Sequence, residues 1–168
     1  MRDGVRSPLS APHLAGAVAA ALDAAGTPAP ASIGLILADD AELAGLNATH
    51  MGKDGPTDVL SFPLLPPEAF PSHPGQQRPA APSPPFALPP GRRPHLGDIV
   101  VSVERAIEQA ETGRGGHTGD VRWSVGDELH LLVTHGTLHV CGWDHAEPQE
   151  ESAMRALERR LLGGSSAS

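Results

Sequence analysis

Cysteine is almost missing: Cys141 is the only one in 168 residues. A lone thiol forms no internal disulfide, and it excludes a cysteine-based zinc site. The pattern fits a reducing compartment. Long apolar runs are missing too, and none approaches the roughly 20 residues that a membrane-spanning helix needs. The expectation is a cytoplasmic chain with no membrane partner. Tyrosine is absent, and Lys53 is the sole lysine among twelve basic residues. This arginine-for-lysine bias reads as a compositional habit of the source rather than a functional device. Positive charge is scarce overall, with 12 basic residues against 20 acidic ones and a formal net charge of -8. Such a chain repels polyanions at long range, so any nucleic-acid contact requires basic groups clustered locally.

The N-terminus imitates a secretory signal: Arg2 and Arg6 precede the apolar run Leu14 to Leu22, and Ala-Pro-Ala follows at 29–31. However, that run is short, rich in alanine and closed by Asp23. Leu14, Val18 and Leu22 also fall four apart, which is one face of an amphipathic helix.

A helix is therefore predicted from Pro12 to Ala25, with Ser10 as its cap and Gly26 at its end. The run Ser32 to Ala38 reads as a buried strand. Asp39 and Glu42 have capping-box spacing and open a short helix that Asn47 closes. Thr57 to Phe62 and Gly97 to Ser102 read as further strands. Between Pro63 and Pro94 lie twelve of the eighteen prolines. Proline at this density cannot enter a helix or a central strand. The stretch, about 64–95, reads as a long polyproline-like or disordered loop inserted in the domain. Glu104 to Glu111 reads as a helix with Ala106, Ile107 and Ala110 on one side, and Gly113 to Gly119 as a glycine-rich loop. Ser124 and Asp127 cap the next helix, and a last one runs from Gln149 to Leu162 with Met154, Leu157 and Leu161 on one face. The length suits one domain over 1–168. The expected fold is α+β, a small mixed sheet packed by about five helices, with a zinc site at the end of one helix.

Residues 135–145 read HGTLHVCGWDH. His135 and His139 are four apart, so a helix projects both from one face. Gly142 lets the chain leave the helix, and the turn brings His145 back as a third ligand. Three imidazoles suit one Zn²⁺ per chain better than Mg²⁺ or Ca²⁺, which prefer oxygen. Three protein ligands leave a fourth position for water, the mark of a catalytic site. Zinc lowers the pKa of such a water to roughly 7, which makes it the expected chemical agent. The other histidines mostly read as ordinary surface or core residues. The spacing also matches metzincin proteases, but those place a glutamate general base right after the first histidine. Gly136 stands there, so a peptidase would lack its proton acceptor.

The whole run HGTLHVCGWDH resembles the signature of the YbeY family of rRNA maturation factors. Leu46 and Asn47, DGPTDVLSFP at Asp54 to Pro63, LGDIVVS at Leu96 to Ser102 and the helix carrying Met154 and Glu158 resemble further blocks of that family. The resemblance implies a zinc-dependent, single-strand-specific endoribonuclease acting in 16S rRNA 3′-end maturation and ribosome quality control. It implies His135, His139 and His145 as ligands, and 16S rRNA precursors and the ribosome as partners. It also implies a basic residue shortly before TDVLSF. Met51 occupies that place, with Lys53 nearby. Lys53, Arg92 and Arg93 are the candidate RNA-binding residues, and Lys53 offers a point charge rather than a bidentate fork. The alternative is a ribosome-assembly binding protein whose metal is structural.

Beside the motif, Asp144 either orients a ligand histidine or holds the turn. Asp58 and Asp98 read as strand-opening caps. Cys141 should point away from the metal, and Trp143 either packs or stacks a base.

Overall fold

The computed structural model describes residues 1–27, 29–77, 93–112 and 123–164. Five helices and three strands form the α+β architecture that the order of elements implies. Helix α1 spans Ala11–Ala24; Ser10 Oγ accepts from the His13 amide, and Gly26 follows at φ +70°. Strand β1 is Ser32–Ala38, β2 is Val59–Pro63 and β3 is His95–Ser102. The sheet order is β1-β3-β2, with β1 parallel and β2 antiparallel to β3. The central strand is apolar on both faces. Ile99 and Val101 join the main core, whereas Val100 packs in a second cluster with Ala38, Leu43 and Leu60.

Helix α2 (Asp40–Leu46) is capped by Asp39, whose Oδ1 accepts from the Glu42 amide at 2.9 Å. Asn47 is its C-cap, as expected. The chain continues through a π-helical turn, Asn47–Met51, and stops at Gly52 with φ +63°. Asn47 is buried, and its Nδ2 donates to the Gly55 carbonyl at 2.9 Å. Helix α3 (Val103–Glu111) differs in facing. Val103, Ala106 and Gln109 turn inward, while Ile107 is 41 % exposed. Ile107 lies next to Ala106 in sequence, about 100° round the helix, so the two cannot share the buried centre of one face.

Helix α4 (Val125–Val140) begins with a complete capping box between Ser124 and Asp127. It packs against α1, α3, β2, β3 and the last helix α5 (Pro148–Gly164), which explains its nearly unbroken burial. Gly136 lets it lie close on the sheet. A Cβ there would stand 3.0 Å from Val59 Cγ2 and 3.1 Å from Ile99 Cγ2. Ser61 Oγ fixes the approach by donating to the Gly136 carbonyl at 3.0 Å. The effect is to hold the last turn of α4, and the chain leaving it, in one place.

Residues 78–92 of the proline-rich stretch lie outside the described residues, and the part before them departs from its expected form. That part, 64–77, is docked rather than loose. It makes a 3-10 turn at Pro67–Ala69 and buries Phe70 to 5 % exposure. Proline removes an amide donor, but its carbonyl still accepts, and its rings and the intervening side chains remain free to pack. The glycine-rich loop lies outside the described residues.

Candidate metal centre

His135 and His139 occupy successive turns near the end of α4, and their ring centroids are 4.5 Å apart. The helix stops at Val140. Gly142 then adopts φ +88°, which reverses the chain toward His145. The His145 ring returns to 5.5 Å from that of His135 and 4.9 Å from that of His139. One nitrogen from each of the three rings lies within 4.8 Å of the others. The first two rings are half-buried and His145 is exposed.

The outer nitrogens of the first two rings are committed. His135 Nδ1 lies 2.5 Å from Glu158 Oε1, and His139 Nδ1 lies 2.8 Å from the Trp143 carbonyl oxygen. A carboxylate and a carbonyl can only accept, so each Nδ1 carries the proton. In the neutral rings each Nε2 then presents a lone pair. These two Nε2 atoms face each other at 3.0 Å. Two lone pairs so close repel unless a proton or a cation lies between them. Burial first, and then the neighbouring His135 and His145, push the His139 pKa down to about 4, against the opposing pull of the Trp143 carbonyl and Asp144. His139 is therefore neutral near pH 7, the form that ligates. The all-nitrogen donor set suits a borderline cation such as zinc.

Glu158 was not singled out as a site residue from the sequence. A signal existed: it interrupts the apolar stripe Met154, Leu157, Leu161; the structure buries it to 8 % exposure. Asp144 holds the turn and not a ring, because its Oδ1 accepts from the His145 amide at 2.7 Å. Cys141 points away, 3.6 Å from Thr27 Oγ1, and burial raises its thiol to about 11. Trp143 packs. It is 7 % exposed and stacks on His73 with centroids 3.8 Å apart. Asp58 Oδ1 accepts from the Val59 amide at 2.9 Å, as a strand-opening residue should. Asp98 lies inside β3 rather than at its start and pairs with His95 at 3.0 Å. Lys53 is exposed just beyond the π-helical turn. Arg93 is exposed and lines an apolar groove of about 640 Å³ between α1 and β1. Neither makes a hydrogen bond or ion pair with the three histidines, and Arg92 lies outside the described residues. Gly136 faces the sheet, so a glutamate at that position would meet Val59 and Ile99.

The profile of the endoribonuclease YbeY family matches residues 10–165. An endoribonuclease YbeY from Salinispora tropica is 46% identical over 143 residues, covering 84% of this chain and 79% of its own. One from Mycobacterium sp. (strain KMS) is 46% identical over 132 residues, covering 79% of this chain. The match spans 63% of that mycobacterial relative's length. The solution structure of a Thermotoga maritima protein is similar with a TM-score of 0.52, over 93% of this chain and 83% of that one. At 19% identity that likeness concerns the fold alone. A match that runs from the first helix through the last, at nearly half identity to its relatives, places this chain in the endoribonuclease YbeY family.

Proposed function

We propose that this chain is a zinc-dependent, single-strand-specific endoribonuclease acting in 16S rRNA 3′-end maturation and ribosome quality control. One observation carries the metal reading: the Nδ1 atoms of His135 and His139 each face an acceptor while their Nε2 atoms meet at 3.0 Å. His135, His139 and His145 would hold one zinc per chain. When bound, zinc in a three-ligand site acts as a Lewis acid toward a phosphodiester oxygen and brings the pKa of a water to roughly 7. The residues of the chain prepare for it. Glu158 keeps the His135 proton on Nδ1, the Trp143 carbonyl does the same for His139, and burial keeps His139 neutral. The name that the curated relatives carry supports RNA as the substrate. The proposed setting is the cytoplasm, with rRNA precursors and the ribosome as partners. No helix among the described residues is long and apolar enough to cross a membrane.

Elemental analysis paired with an RNA cleavage assay tests the reading. About one zinc per chain is expected, and His139→Ala should lose both metal and cleavage, since two nitrogens and water make a weak site. Full zinc occupancy in that variant would remove His139 from the ligand set. The net charge of -8 favours one other reading, a ribosome-assembly binding protein with a structural metal. Undiminished binding to ribosomal particles, with no cleavage at any metal load, would select it. The phosphate contacts are proposed for Lys53, Arg92 and Arg93. Lys53→Ala should weaken RNA binding and flatten its salt dependence by roughly one unit of slope, with zinc content unchanged. Identical slopes would move the contact to Arg92 and Arg93.

A further inference from the structure

Three consecutive residues between the second and third histidines, beyond the end of α4, are held by other parts of the chain. Gly142 lies so close to the 64–77 arm that a Cβ on it would stand 3.0 Å from Pro67 Cα. Trp143 carries the His73 ring flat against its own, at an interplanar angle of 10°. The Asp144 amide donates to Glu150 Oε1 at 2.9 Å, and the same oxygen lies 2.5 Å from His73 Nε2. The His73 and Glu150 side chains are 6 % and 8 % exposed. The arm is itself anchored on both sides of His73. Phe70 enters the core, and Gly75, at φ +80°, presses so closely on the start of α5 that a Cβ there would meet Glu150 N at 2.5 Å.

We propose that the 64–77 arm is a clasp that positions His145 and retains the metal, with His73 as its key positioning residue. The inference rests on the three-histidine metal reading. Its physical basis is the cost of ordering a turn. His135 and His139 stand on a helix, but His145 is exposed and follows a glycine turn. Left free, that turn loses conformational entropy each time the third ligand engages, which weakens the site. Stacking on Trp143 and bonding through Glu150 to the Asp144 amide restrict the turn beforehand. The restraint reaches a second ligand as well, because the Trp143 carbonyl orients His139. His73 touches no reacting atom in this reading. It acts through Trp143 and Glu150.

The test compares zinc-loaded, full-length protein with its His73→Ala and His73→Phe variants, timing zinc transfer to a chelator. His73→Phe keeps a ring against Trp143 and removes only the donor to Glu150, so it serves if the alanine variant folds poorly. Both variants should release zinc faster, His73→Ala by roughly tenfold or more, the range expected when support of a ligand is removed. Hydrogen exchange of the Asp144 amide in the metal-free variants should accelerate too, while exchange in the middle of α4 stays unchanged. Release and exchange equal to wild type would overturn the clasp. A wild-type protein that takes up no zinc would instead sink the metal reading beneath it.

Discussion

Glu158 is a carboxylate on an apolar stripe, and a buried carboxylate without a partner is costly. Its partner is His135, 23 residues earlier in the chain. The bond sets which nitrogen of His135 is free, so it acts on metal affinity rather than on the fold alone. Glu158→Ala should therefore lower zinc affinity by roughly 10- to 100-fold. Glu158→Gln should lower it less, because the amide oxygen still accepts from Nδ1–H. Competition titration with a zinc-binding dye measures both, and equal affinities in all three proteins would show that the His135 tautomer does not depend on Glu158. Gly136 makes a complementary point. As a residue in a motif it reads as a missing general base, whereas in the helix it is the point of closest approach to Val59 and Ile99.

The five α-helices and three strands overlap the segments where the sequence places them, with ends shifted by a residue or two, since amphipathic spacing and capping residues are local signals. The Ser124–Asp127 box and the Asp39 cap are examples, both present as hydrogen bonds. The 64–77 arm was legible only as not-helix and not-strand. Proline density reports what the backbone cannot bond to, and it is silent on what the side chains touch. Phe70 shows the difference. It lies in the main core at 5 % exposure, so Phe70→Ala should cost about 3 kcal/mol or more. Urea denaturation measures that loss. A change under about 1 kcal/mol, the size of an ordinary surface substitution or little more, would mean that the arm does not dock.

Acid should loosen the metal-free molecule as a whole. His130, on α4, faces His13 of α1, with its Nδ1 3.3 Å from His13 Nε2. Burial first, and then the charge of His13, lower its pKa, with Asp127 pulling the other way. His139 is lowered to about 4. Because both folded values lie below the unfolded one, near about 6.5, the unfolded chain binds more protons as the pH falls. This stability is complete above about pH 6.5 and is lost as pH drops toward the folded values. The Tm of metal-free protein should fall steadily from pH 7 toward pH 4, and His130→Phe should make the decline shallower. A flat Tm across that interval would contradict the assignment. The sequence by itself determined the histidine trio, the helix that bears two of them and the family signature. All three are contiguous, and helical spacing with a glycine turn brings nearby residues together without help from the rest of the chain. Only the tertiary structure decided that Glu158 meets His135 and that His73, 77 residues before Glu150, bonds to the carboxylate that holds the Asp144 amide. It also left Lys53 and Arg93 without a bond to the trio. Contacts across such separations depend on how whole elements pack, and the periodicity of one segment carries no information about the segment that will cover it.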